Sequence, residues 1–156
     1  MSGLKFDKRE LGNLEYALDR EVLATDRRGG YMSTTIVGCN TRKYHGLMVA
    51  PIDQSDRTYV LLSSLDETVM QHDQSFNLAL HRFDGTYEPR GHKYITDFEY
   101  TPVPTITYRV GGVVLKKELL WVHNRTQLMI RYTLVDAHSE TTLRLRPLLA
   151  FREKHA

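Results

Sequence analysis

Three side chains able to do chemistry arrive within four positions: the guanidinium of Arg42, the phenol of Tyr44 and the imidazole of His45. Asn40 and Thr41 precede them, and Gly46 separates them from the apolar run Leu47–Ala50. A guanidinium and a phenol together hydrogen-bond sugar hydroxyls and present a flat face to a pyranose. The same pair suits a packed interface with an ion pair across it. On an extended strand, Arg42 and Tyr44 would share one face and His45 would take the other. Upstream, Gly29-Gly30 offers φ > 0 and close backbone approach. Tyr31 opens a Thr-, Ile- and Val-rich run to Val37 that suits a strand. The candidate site is therefore Asn40, Thr41, Arg42, Tyr44, His45 and Gly46, with Gly29, Gly30 and Tyr31 shaping the loop. Its occupant is either a ligand or another part of the same polypeptide.

Other groupings point to less. Asp66 and Glu67 are adjacent, so on a strand they face opposite ways and cannot flank one bond; a solvated turn or an interface salt bridge is expected. Asp97 and Glu99 share a face among aromatics with no other polar group converging on them. Cys39 lies near His45 in sequence but has no orienting acid, and reads as a small buried apolar group. The seven histidines show no metal-ligand spacing, and His81, His92, His123 and His138 read as loop or surface residues. No metal or cofactor is expected. Tyr87, Tyr94, Tyr100, Tyr108, Tyr132 and Trp121 read as core or half-buried packing.

The elements that must position the site are almost all strands. Leu4–Leu23 reads as a tail plus a short helix or irregular strand, with Leu11, Leu14 and Leu18 at roughly helical spacing and Gly12 weakening it. Strands follow at Tyr59–Ser63 and Thr68–Gln71. Phe76, Leu78 and Leu80 alternate with polar residues as a third. Ile52–Arg57 is a polar loop, Asp84-Gly85 a turn and Arg90-Gly91-His92 a loop. Pro102 and Pro104 suggest a crossing between sheets or an edge. Thr105–Val110 and Val113–Val122 flank Gly111-Gly112 as a hairpin. Two further alternating runs, at Gln127–Leu134 and Thr142–Phe151, extend it into an antiparallel meander. The fold class is all-β, an antiparallel two-sheet sandwich. Residues 1–20 form a tail or short helix, and 21–156 form the domain. The final strand ends without a closing turn, so the domain reads as cut from something longer, with an open edge able to pair with a second copy.

Composition fits a globular domain: 156 residues, 41% hydrophobic and 26% charged. The net charge of +2 is spread among interspersed signs, which gives no footprint for nucleic acid. No apolar run approaches a membrane span, the N-terminus lacks an apolar signal core, and a single cysteine excludes an intrachain disulfide framework. These features favour the cytoplasm.

Several segments, in this order, resemble the N-terminal domain of the bacterial and archaeal type of glycogen debranching enzyme (amylo-α-1,6-glucosidase). They are Glu21-Val22-Leu23, Gly29-Gly30-Tyr31, Asn40-Thr41-Arg42-Lys43-Tyr44-His45-Gly46-Leu47-Met48, Arg57–Leu62, Leu65–Thr68, Pro89–His92, Phe98, Pro102-Val103-Pro104 and Arg146–His155. Val22 replaces a Trp of the family pattern, Arg27-Arg28 a neutral pair, and Cys39 a smaller residue. The resemblance implies a β-supersandwich that precedes an (α/α)6 barrel of the same polypeptide. The barrel would hold the catalytic carboxylates that hydrolyse α-1,6-linked glucose at branch points. An inverting mechanism sets such a pair roughly 6.5–9.5 Å apart. The domain itself would then be non-catalytic, with the barrel and an α-glucan (glycogen or limit dextrin) as partners and its loop at the glucan entrance. An autonomous carbohydrate-binding module and a self-associating β-domain are the alternatives.

Overall fold

The computed structural model describes residues 4–52, 57–100 and 102–156. The chain opens with strand β1 (Leu4–Asp7), helices α1 (Lys8–Gly12) and α2 (Leu14–Leu18), and β2 (Glu21–Thr25). Asp7 caps α1 in a reciprocal box: its carboxylate accepts from the Glu10 amide at 3.0 Å, and Glu10 accepts from the Asp7 amide at 3.2 Å. Asn13 caps α2 through the Tyr16 amide. Both helices are too short to stand alone. They are held by burial of Leu11 and Ala17 in the core, and by β1, which pairs with a later strand.

The rest is antiparallel sheet: β3 (Tyr31–Thr35), β4 (Gly46–Pro51), β5 (Thr58–Gln71), β6 (Gln74–Asn77), β7 (Leu80–Phe83), β8 (Thr86–Arg90), β9 (Ile95–Tyr100), β10 (Pro104–Val110), β11 (Val113–Trp121), β12 (Leu128–Asp136) and β13 (Thr142–Glu153). One sheet runs β1-β9-β10-β11-β12; the other runs β13-β5-β4-β3-β2, with β6 on the far half of β5 and β7-β8 as a separate hairpin. The all-β sandwich read from the sequence is what the structure shows. Asp84-Gly85 and Gly111-Gly112 turn their hairpins with φ positive at both residues, as a two-residue type I′ turn requires.

Five expectations need correction. Asp66-Glu67 do not separate two strands; β5 is one continuous strand of 14 residues that passes through them. The run from Phe76 to Leu80 is broken, because the Leu78 amide turns away to the Glu67 carbonyl and the Ala79 amide to the Asn77 side chain. Pro102 lies between β9 and β10, neighbours in one sheet, and Pro104 begins β10, so they mark neither a crossing nor an edge. Pro104 opens β10, where its missing N–H costs little. The last two strands do not continue one meander: β12 ends the first sheet, and β13 crosses to the other and pairs with β5. Its alternation also slips at a bulge by Leu148, so Leu149 and Phe151 are exposed while Leu148 and Ala150 are half-buried. Part of the polar loop expected at Ile52–Arg57 lies outside the described residues. Among the described residues no helix is long and apolar enough to cross a membrane.

Met32, Leu47 and Val69 of one sheet meet Phe98, Ile106, Leu115, Leu119 and Trp121 of the other in a single buried cluster. Each such side chain contributes about 1.5–3 kcal/mol by leaving water. Amid them lies an ion pair. Lys117 points inward from β11, and its Nζ donates to both Glu67 oxygens, at 3.0 and 3.2 Å, across the gap between sheets. Glu67 is therefore no solvated turn residue. Its neighbour Asp66 faces the other way and accepts from His81 Nε2 at 2.8 Å.

Candidate functional site

The turn before β3 is organised by a buried aspartate. Asp26 Oδ1 accepts from the amides of Arg28 (2.7 Å) and Gly30 (3.0 Å), and the Asp26 amide donates to the Gly30 carbonyl. The two glycines serve different needs. Gly29 takes φ +94°, whereas Gly30 leaves room for Asp26: a Cβ there would stand 2.5 Å from Oδ2. Gly30→Ala should lower stability by about 1–3 kcal/mol in urea titration, because the carboxylate must leave its amides. An unchanged midpoint would show that the turn relaxes freely. Arg27, at φ 65°, adopts a conformation that non-glycine residues seldom take, and Arg28 reaches the Asn124 carbonyl beyond β11.

After β3 the backbone makes a tight loop. Thr35 Oγ1 donates to the Cys39 carbonyl and accepts from the Cys39 amide. Asn40 links Thr34 to the Ser63 carbonyl on β5, at 2.8 Å on each side. Cys39 is fully buried, and burial pushes its thiol up to about 11, so it stays a packed thiol at neutral pH.

Thr41–His45 is a turn and not a strand, closed by the His45 amide on the Arg42 carbonyl at 3.0 Å. The alternation expected for Arg42, Tyr44 and His45 therefore fails. Arg42 and His45 converge on one carboxylate, that of Glu21 at the start of β2. Arg42 Nε and His45 Nε2 both bond to Glu21 Oε1, the latter at 2.8 Å. His45 Nδ1 accepts from the amides of Thr41 (2.9 Å) and Arg42 (3.2 Å). With Nδ1 used as an acceptor twice, the proton sits on Nε2 and the ring is neutral. Burial holds His45 below its ordinary pKa, although Glu21 pulls the other way. Burial alone would raise the Glu21 carboxyl, but the Arg42 and His45 hydrogen bonds outweigh it and the group lies below its usual value. Both ring nitrogens are committed, so His45 fixes the loop and is not free to act as a base. Gly46 lies against Val49 and Val60, where a Cβ would come within 2.9 Å of the Val49 side chain.

Tyr44 turns elsewhere. Its ring is 45% exposed and meets His155 edge-on, with centroids 5.7 Å apart. Tyr31 donates its hydroxyl to the Tyr44 carbonyl, Arg152 to the Lys43 carbonyl, and Lys43 Nζ to the His155 carbonyl. The loop thus has two sides. Arg42 faces α2 and the β7–β8 hairpin, and Tyr44 faces the end of β13.

The family model described as glycogen debranching enzyme N terminal matches residues 20–156. The chain belongs to this family. The match begins one residue before Glu21, so the carboxylate that knots the debranching-enzyme loop falls inside it. No curated protein and no solved structure matches the chain.

Glu21 is the residue that reading the sequence missed as part of the site. It stood in the quoted family pattern, but only the β2–β3 pairing, which sets it opposite Thr35, brings it to Arg42 and His45. His92, read as a loop or surface residue, lies in the short helical turn Gly91–Tyr94 and is buried, with Nδ1 lacking a partner. Burial and then the charges of Arg90 and Lys93 hold it below its ordinary pKa. Among the described residues no three of His, Cys, Asp and Glu come together as a metal site would require.

Proposed function

We propose that this debranching-enzyme N-terminal domain is non-catalytic. In this reading it seats against an (α/α)6 catalytic domain of the same polypeptide and shapes that domain's α-glucan entrance in the cytoplasm. The observation that carries it is the commitment of the carboxylates bonded within the loop and behind it. Glu21 serves Arg42 and His45, Asp26 serves two amides, Asp66 serves His81 and Glu67 serves Lys117. Glu15 and Asp19, left free nearby, are exposed at the surface and lack the enclosed setting a proton-donating carboxyl requires. A glycosidase needs one carboxyl free to donate a proton and another free to act on water or the sugar.

The Tyr44 side of the loop supports docking to a protein. Leu145, Leu149 and Phe151 are exposed along β13, the outermost strand of its sheet. Phe151 stacks on Tyr59, and the same strand carries Arg152 to Lys43. Aromatic and apolar side chains continuous with a hydrogen-bonded loop fit the core of an interface, with charged groups at its rim.

Two results are expected. The domain alone releases no glucose from limit dextrin. In the full-length enzyme, Tyr44→Ala combined with Phe151→Ser lowers debranching activity about tenfold, the loss of one good interface anchor, while the domain keeps its circular dichroism. Glucose release by the isolated domain would overturn the non-catalytic reading, and full activity of the double variant would overturn the docking.

A further inference from the structure

On the Arg42 side of the loop lies an open groove of about 510 Å³, bounded by α2, Thr41-Arg42 and the β7–β8 hairpin. We propose that this groove is a binding site for a neutral α-glucan chain, with Arg82 and Tyr87 of the hairpin forming the wall opposite Arg42. The inference rests on the domain's place in a debranching enzyme and adds to it a location and new residues for the saccharide.

Charge balance comes first. Arg82 supplies a cation and Glu15 and Asp19 supply anions, while the charge of Arg42 is already balanced by Glu21. The acids would repel a phosphate-rich ligand and Arg82 a polycation, which leaves a neutral ligand as the best match. Such a ligand must still satisfy donors and acceptors together. Guanidinium groups only donate, carboxylates only accept, and the Thr41 hydroxyl does both. A ring of sugar hydroxyls meets all three kinds.

Shape and apolar surface come next. Leu14 and Leu18 are half-buried on the α2 side, and the half-buried Tyr87 also lines the groove. A pyranose has an apolar face of C–H groups that packs against such surfaces, with its hydroxyls at the edges. The groove is open to solvent.

Three of the charged side chains are also uncommitted, whereas Arg42 is held by Glu21. The side chains of Glu15 and Asp19 make no hydrogen bond or ion pair among the described residues, and the Arg82 guanidinium lies over the Tyr87 ring, 6.0 Å from its centre. Thr41, by contrast, is fixed by its amide bond to His45. The fixed Thr41 wall is preorganised, whereas ordering the free side chains costs binding energy and keeps the affinity modest.

The test is a titration of the isotope-labelled 156-residue protein with maltoheptaose, followed by NMR. Saturable amide shifts are expected around residues 14–19, 41–42 and 82–87, with Kd on the order of 1 mM. Arg82→Ala should weaken binding about fivefold to tenfold by removing a charged donor. Tyr87→Phe keeps the ring and should bind nearly as the parent does, and it guards against Tyr87→Ala failing to fold. Arg109→Ala, exposed on β10, should leave the affinity unchanged. Absence of shifts up to about 20 mM sugar, shifts confined to another face, or wild-type affinity in Arg82→Ala would each overturn the site. None of these would alter the result for Tyr44 and Phe151 in the full enzyme, so the two readings fail separately.

Discussion

Lys117→Met should cost the domain about 3–5 kcal/mol in urea titration, because it leaves the Glu67 carboxylate between the sheets with no cation. Glu67→Gln should do comparable damage by stranding the ammonium. The side chains of this pair are 8% and 3% exposed, so solvent cannot screen what remains. Burial first, and then the Glu67 charge, holds the Tyr108 and Tyr132 phenols above their ordinary values. The informative experiment is the double variant. Lys117→Met with Glu67→Leu replaces both charges by apolar groups of similar size, and should recover to within about 1–2 kcal/mol of the parent. A double variant as unstable as either single one would mean that the pair contributes net stability, and not merely that an unpaired charge is costly. For a chain of this size, the single variants should melt on the order of 10 °C lower.

That ion pair also shows where sequence reading runs out. Alternation puts Leu115, Lys117, Leu119 and Trp121 on one face of β11, and all four are buried. Nothing local explains a lysine there, since its partner lies 50 residues away on the other sheet. The acidic pair Asp66-Glu67 looked like a turn for the same reason: the compensating Lys117 and His81 are brought in only by the tertiary fold. Hairpins closed by Asp84-Gly85 and Gly111-Gly112 were legible because their turn chemistry is local. The destination of β13 was not, because a strand's neighbour in sequence need not be its neighbour in a sheet. At the site, Arg42, Tyr44 and His45 stood out by type and spacing. How they divide did not, because a closed turn replaces the strand on which alternation depends.

Glu21→Ala should be the most damaging change at the loop at neutral pH, and it should shift where stability is lost in acid. His45 is 1% exposed at its side chain and donates Nε2–H only to Glu21, so removing the acceptor leaves a buried donor unpaired at about 1–3 kcal/mol. Glu21→Gln keeps an acceptor oxygen and should cost less. The pH dependence follows from His45 and His92, both held below their ordinary value in the folded protein, chiefly by burial. Below about pH 6.5 the unfolded chain binds protons that the folded protein refuses, so stability is greatest above that pH. It falls as the pH drops from there to the lowered folded values, by at most about 1.4 kcal/mol per pH unit for each histidine. Glu21 adds a second window. Its folded pKa lies below the ordinary value of 4.5, so its contribution is present above that pH and is lost as the pH falls through the folded pKa. Urea titrations at pH 7.5 and 5.5 should show the histidine loss in the parent protein and roughly half of it in His92→Gln. Glu21 opposes the lowering of His45, so Glu21→Ala should depress that histidine further and carry the loss to lower pH. Equal stability of the parent at the two pH values would mean that the imidazole of His45 is not held neutral by its two amides and its burial.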